Sequence, residues 1–161
     1  MSYQKGKLYT AFIDYSKAFD SLNRKVITRK LNNMLGPDNY LTNIVANILQ
    51  FNTIVIDNNI EKSRPITQTN GVLQGDPLSP LLFNLTTADV IDTIDEQSNT
   101  TKIYIYADDM ALASHNKEDL QKSLEKLTEW TDKNGLNINK EKSALMIFRK
   151  GGRTTDKDNI Y

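Results

Sequence analysis

The chain alternates apolar runs of two different periods. Leu8 to Ile13 (Leu-Tyr-Thr-Ala-Phe-Ile) is continuously apolar and β-prone, which predicts a buried strand ending at Asp14. Over 23–35 the apolar positions Val26, Ile27, Leu31, Met34 and Leu35 recur at helical spacing. Ser21 is placed to cap that helix and Gly36-Pro37 to stop it. Tyr40 to Phe51 repeats the helical pattern, with Leu41, Ile44, Val45, Ile48 and Leu49 on one face. Thr53 to Asp57 then reads as a strand, which Asn58-Asn59 turns into a returning strand over 60–66. The turn-rich segment Gly71-Val-Leu-Gln-Gly-Asp-Pro-Leu-Ser-Pro80 opens a long helix through Glu96. Its expected inward face is Leu81, Leu82, Leu85, Ala88, Ile91 and Ile94, and Pro80 is tolerated because it sits in the first turn. Lys102 to Tyr106 and Met110 to Ser114 read as a hairpin with Asp108 and Asp109 at its tip. A helix over 117–134 follows, with Asn116 as N-cap, Gly135 as the residue past its end, and Leu120, Leu124, Leu127 and Trp130 facing inward. Ser143 to Phe148 predicts a last strand, and 151–161 a polar, frayed tail.

With the middle segment set aside, the order is strand, helix, strand, strand, helix, strand. That order predicts an α+β, ferredoxin-like split-βαβ fold: an antiparallel sheet backed by helices on one face, carrying an inserted helix pair and β-hairpin. Neither repeats nor low-complexity stretches interrupt it, so 1–150 is expected to form one domain and 151–161 its tail.

Composition narrows the chemistry. Twenty Lys and Arg balance twenty Asp and Glu over the 161 residues, so no general polycationic surface attracts phosphate, and any nucleic-acid binding must come from a local arrangement. Absence of Cys excludes disulfides, zinc ribbons and thiolate nucleophiles. A single His excludes a histidine-rich metal site. No apolar run approaches the ~18 residues of a membrane helix, and Met1 to Lys7 carries no signal-peptide core. An intracellular protein is expected.

Three acids stand out by position. Asp14 ends one predicted strand, and Asp108 and Asp109 occupy the bend of a hairpin that the split-βαβ order sets beside it. Each has an ordinary use as a turn or cap residue. Brought together, three carboxylates repel one another, and hard divalent cations relieve that conflict. In this sequence a carboxylate magnesium site is the best-supported metal chemistry, and two such ions ~4 Å apart can activate a hydroxyl and stabilise a leaving pyrophosphate.

Phe12-Ile-Asp-Tyr-Ser-Lys-Ala-Phe-Asp20, Gly71-Val-Leu-Gln-Gly-Asp-Pro-Leu-Ser-Pro80 and Tyr106-Ala-Asp-Asp109 occur in that order, followed by Gly135-Leu136, Asn139 and Lys142. Together they resemble the successive motifs of a reverse transcriptase palm, and most nearly those of non-LTR retrotransposons, over roughly 8–149. The resemblance implies an RNA-directed DNA polymerase that takes an RNA template, a DNA primer and a deoxynucleoside triphosphate, with two Mg²⁺ ions that Mn²⁺ can replace. It implies that Asp14, Asp108, Asp109 and the Tyr15 carbonyl hold the metals. It makes Phe19 a steric gate against the 2′-hydroxyl, and sets Gln74 and Gly75 against the nucleotide and templating base. Lys142 is then a proton donor or triphosphate contact, and Tyr106 packs near the primer end. Two other readings stand beside this one: a domesticated palm that binds nucleic acid or protein without catalysis, and an RNA-directed RNA polymerase, against which Phe19 argues.

Only seven residues precede the first predicted strand, so the fingers start and the thumb of a parent protein are expected to be missing. Exposed apolar surface would then favour a homodimer. Nuclear action is expected of the parent by resemblance. Asn84-Leu-Thr86 and Asn99-Thr-Thr101 are read as chance glycosylation patterns, His115 as a surface residue, and Gly151-Gly152-Arg153 as no phosphate loop.

Overall fold

A computed structural model describes residues 6–37, 39–95 and 100–149. The expected tail, Gly151-Gly152-Arg153, Asn99 and Glu96 fall outside them. The chain divides into two compact units, one formed by residues up to Ala18 and from Thr87 onward, the other by Phe19–Thr86.

The first unit is built on four strands: β1 (Leu8–Ile13), β4 (Lys102–Tyr106), β5 (Asp109–Ser114) and β6 (Ala144–Phe148), arranged β4-β5-β1-β6 with every pair antiparallel. This is the split-βαβ order that the sequence predicts. Register decides which face is buried. Tyr9↔Ser114, Ala11↔Leu112 and Ile13↔Met110 are directly opposed, so all six side chains share one face, and all are buried. Against that face packs α6 (Lys117–Asn134), itself in contact with α5 (Val90–Asp95). Leu112, Leu120 and Leu127 are fully buried in this layer. The other face carries Phe12, Tyr104, Tyr106, Met146 and Phe148, all exposed.

α6 begins and ends where its sequence says. The Asn116 side-chain oxygen accepts the N–H groups of Glu118 (2.8 Å) and Asp119 (3.4 Å), and Gly135 takes the left-handed conformation at φ 73°. Trp130 is core, and its indole N–H donates to Asp89 Oδ1 at 3.0 Å.

The second unit holds α1 (Ala18–Ser21) from its second residue, α2 (Arg24–Leu35), α3 (Tyr40–Gln50), the short hairpin β2 (Thr53–Ile54) and β3 (Ile66–Thr67), and α4 (Leu78–Thr87) up to Thr86. Several expectations are corrected here. Ser21 ends α1 and does not cap α2; Asn23 does, accepting Lys25 N–H at 2.9 Å. In α3 only Thr42 and Leu49 are buried, while Leu41 and Ile48 of the expected inward face are exposed. The hairpin strands are two residues each, and the turn at Asn58-Asn59 is stabilised by side-chain bonds, with Asn59 at φ 68°.

The expected helix through Glu96 is two helices, broken at Ala88-Asp89. Its buried stripe is Leu82, Phe83, Thr86, Thr87, Val90 and Ile94, whereas Leu81 and Ile91 face outward. Two threonines at core positions shift the apparent apolar face. The Thr86 hydroxyl is satisfied locally by donating to Leu82 O at 2.7 Å, so it can be buried. Among the described residues no helix is long and apolar enough to cross a membrane.

Candidate active site

The β1–β5 ladder ends at Ile13↔Met110, whose side chains point into the core. One residue further, Asp14 follows the end of β1 and Asp109 opens β5, both on the opposite, open side. Asp109 is paired with Tyr106 of β4. Adjacent strand ends thus deliver Asp14, Asp109 and Tyr106 to one cavity of about 500 Å³, which Phe12, Tyr104 and Lys142 also line. Asp14 is half-buried and Asp109 exposed. Among the described residues neither carboxylate makes an ion pair or side-chain hydrogen bond.

Asp108 is elsewhere. The hairpin loop has two residues, Ala107 and Asp108, because Asp109 already belongs to β5. Only one acid is therefore at the tip, and Asp108 does not line the cavity that holds Asp14 and Asp109. Among the described residues no three His, Cys, Asp or Glu side chains gather closely enough to hold a metal, so the expected three-acid convergence reduces to the Asp14–Asp109 pair in this structure. Ala107 sits at φ 53°, a conformation that usually selects glycine.

The segment after α6 is docked on the backbone of Asp14. Asp14 N–H donates to Ser143 Oγ (3.1 Å), Asn139 N–H donates to Asp14 O (2.8 Å), and Ser16 N–H donates to Asn137 O (2.8 Å). These bonds flank the antiparallel bridge Tyr15↔Ile138 as a non-hydrogen-bonded pair, so the Tyr15 carbonyl points away from 137–139. Asn139 Oδ1 accepts the N–H groups of Glu141 and Lys142 (3.2 and 3.3 Å), which fixes the turn that brings Lys142 to the cavity. Ser143 is a positioning residue that the sequence reading passed over as a strand start. The Tyr15 ring is buried, its hydroxyl 3.9 Å from Met110 Sδ, and burial raises its phenol above the ordinary value.

Phe19, Gln74 and Gly75 line a cavity of about 570 Å³ in the second unit. The Phe19 ring stacks on Phe83 at 4.9 Å and 29°. Gln74 Nε2 donates to the Asp20 carboxylate at 3.3 and 3.4 Å, a partnership with the last residue of the first motif that spacing did not reveal. The loop that presents them is built tightly. Gly71 N–H donates to Leu22 O (2.8 Å) and Val72 N–H to Phe19 O (3.0 Å). A Cβ on Gly71 would lie 2.5 Å from Asp20 O, so only glycine lets these backbones approach. Asp76 Oδ1 accepts Leu78 N–H at 2.9 Å and Ser79 donates to Leu73 O at 2.6 Å, closing the loop onto α4. His115 is exposed, with Nδ1 3.0 Å from Lys7 O.

An antiparallel split-βαβ sheet with unpaired carboxylates at adjacent strand ends is the architecture of a nucleotide-polymerising palm. The chain belongs to the reverse transcriptase (RNA-dependent DNA polymerase) family, which it matches over residues 1–159. It is 32% identical over 155 residues to the retrovirus-related Pol polyprotein from type-1 retrotransposable element R2 of Nasonia vitripennis, covering 91% of this chain and 15% of that protein. It is 31% identical over 140 residues to the Pol polyprotein from type-2 element R2DM of Drosophila melanogaster, covering 83% of this chain and 13% of that one. The chain thus spans a small part of the length of these relatives. In fold it is similar to apo telomerase from Candida tropicalis truncated from its C-terminal domain, with a TM-score of 0.73 and 19% identity over 92% of this chain and 32% of the other. The R2 relatives agree with the non-LTR character of the motifs. Reverse transcriptases as a family use divalent metals and bind an RNA template.

Proposed function

We propose that this chain carries the catalytic palm, with partial fingers elements, of an RNA-directed DNA polymerase of a non-LTR retroelement, and that it transfers deoxynucleotides from their triphosphates to a DNA primer 3′-hydroxyl on an RNA template. The observation that carries the reading is that Asp14 and Asp109 line one open cavity together with Lys142, within a chain of this family. The donor set fits hard divalent cations: all oxygen, with no ion pair or side-chain hydrogen bond on either carboxylate among the described residues. Asp14 and Asp109 are the proposed anchors; Asp108, next in the chain to Asp109, would join them only by turning toward a cavity it does not line here, and the Tyr15 carbonyl would supply a further oxygen. Bound there, two Mg²⁺ ions, or Mn²⁺ in their place, supply activation of the primer hydroxyl and charge neutralisation at the departing pyrophosphate.

The chain's own residues do the rest. Lys142 holds a proton at Nζ in the same cavity, where it offsets developing negative charge. The exposed Tyr106 offers its ring to the primer end. Phe19, its ring held by Phe83, excludes a 2′-hydroxyl, and Gln74 and Gly75 meet the nucleotide and the templating base. Extension of a DNA primer on an RNA template should fall at least ~100-fold in Asp109→Asn, the usual cost of losing one charge-stabilising group. Terbium luminescence sensitised by Tyr104 and Tyr106 reads metal binding without turnover, and should fall in Asp14→Asn and Asp109→Asn. Undiminished extension in Asp109→Asn would refute the assignment.

A further inference from the structure

One cavity has no part in the proposed chemistry. It is a groove of about 860 Å³ in the Phe19–Thr86 unit, formed by α2, α3 and residues 67–69 at the end of β3. Along α2 the lining falls in two rows spaced by four, Arg24–Thr28–Asn32 and Lys25–Arg29–Asn33, which places both rows on one flank. Apart from Ala46 and Leu49, every lining residue is a cation, an amide or a hydroxyl, and none is acidic. Such a wall offers positive charge and hydrogen-bond donors to an anionic chain, set among the aliphatic stems of its long side chains.

The groove is pre-formed. Arg24 Nε donates to Gly71 O at 2.8 Å, and its Nη1 donates to Leu49 O and Gln68 O, tying α2 to the end of α3 and to the opposite wall. Arg24 Nη2 is buried with no hydrogen-bond partner, and desolvation lowers the guanidinium's proton affinity. Lys25 and Arg29 are exposed, lie one turn apart, and make no ion pair or side-chain hydrogen bond among the described residues. Like charges at that spacing repel unless an anion lies between them.

We propose that this groove binds the phosphodiester backbone of a single-stranded nucleic acid, with Lys25 and Arg29 on phosphates and the Asn32, Asn33 and Gln68 amides on sugar or base groups. The choice of nucleic acid among polyanions rests on the polymerase reading. The groove shares no residue with the Asp14–Asp109 cavity, so the two assignments fail separately.

The test is fluorescence anisotropy of a labelled mixed-sequence single strand, as RNA and as DNA, over a range of salt. Lys25→Ala/Arg29→Ala should bind about tenfold more weakly near ~0.1 M salt, with a log–log salt slope shallower by about 1.4. Lys122→Ala/Lys133→Ala removes the same charge from α6 and should change neither. Equal weakening by both pairs would leave only net charge and overturn the site; so would an unaltered slope in the first pair. Displacement of the strand by polyglutamate at equal charge would also overturn it, in favour of an acidic protein partner. Tighter binding of RNA than DNA, or equal binding of both, upholds the backbone contact. Should the double variant not fold, Arg29→Gln must still flatten the slope by about 0.7.

Discussion

Replacing Gly71 by Ala tests whether the loop bearing Gln74 and Gly75 is held by close backbone contact. Gly71 has φ 74°, which costs an L-residue about 1–2 kcal/mol. The new Cβ would also meet three backbone atoms of Asp20: O at 2.5 Å, Cα at 2.7 Å and C at 2.8 Å. None of these can rotate away as a side-chain end would. The chain must shift instead, at about 1–3 kcal/mol for overpacking of this kind. The shift also strains the Gly71–Leu22 and Val72–Phe19 hydrogen bonds. The sum is about 2–5 kcal/mol, or roughly 6–12 °C in Tm for a loss of about 3 kcal/mol in a chain of this size. Gly75 is the internal control: its φ is 86°, but a Cβ there meets nothing within 4 Å. Gly75→Ala should therefore lose only about 1–2 kcal/mol. Urea unfolding followed by circular dichroism measures both variants. If they lose the same stability within about 0.5 kcal/mol, the Asp20 contact contributes nothing and the reasoning fails.

Two further outcomes follow from strain and burial in the first unit. Burial raises the Tyr15 phenol, so the stability it confers is fully present below its ordinary value of 10.0 and is lost as pH rises through the folded value. Tyr15→Phe has no proton to lose and should match the unaltered chain at about pH 7, then outlast it above about pH 10; parallel curves to about pH 11 in urea titrations would contradict this. Ala107→Gly should relieve about 1–2 kcal/mol of left-handed strain while adding about 0.5–1 kcal/mol of unfolded-state freedom, a net gain of about 0.5–1 kcal/mol. A fall in melting temperature would show that the turn's strain does not reside in that φ.

Elements whose signals are local were legible in advance. β1 and α6 have their predicted bounds because a continuous β-prone run, an Asn cap and a left-handed Gly act within a few residues of themselves. Sheet order followed from the sequence of element types, since short connections leave few alternatives. The motif wording named the family, and of the four residues it offered as catalytic, Asp14, Asp108, Asp109 and Lys142, all but Asp108 line one cavity. Where burial depends on what lies opposite, the pattern misled. α3 exposes Leu41 and Ile48 of the face expected inside, and the break at Ala88-Asp89 turns a different stripe inward, where the Thr86 hydroxyl bonds its own helix.

What remained was decided in three dimensions. No spacing in the chain says that Ser143 and Asn139 clasp the backbone of Asp14 across more than a hundred residues, or that Gln74 donates to Asp20. Nor does it say that Arg24 gathers three carbonyls from two segments, the end of α3 and residues 68–71, to shape a groove. That Asp109 joins β5 while Asp108 stays in the hairpin loop depends on which residues pair across β4 and β5. By itself the amino-acid sequence determined the elements, their order and the kind of chemistry available, because propensity, capping and side-chain type are properties of neighbouring residues. The tertiary structure alone decided which polar groups meet, because those contacts depend on backbone approach between segments far apart in the chain.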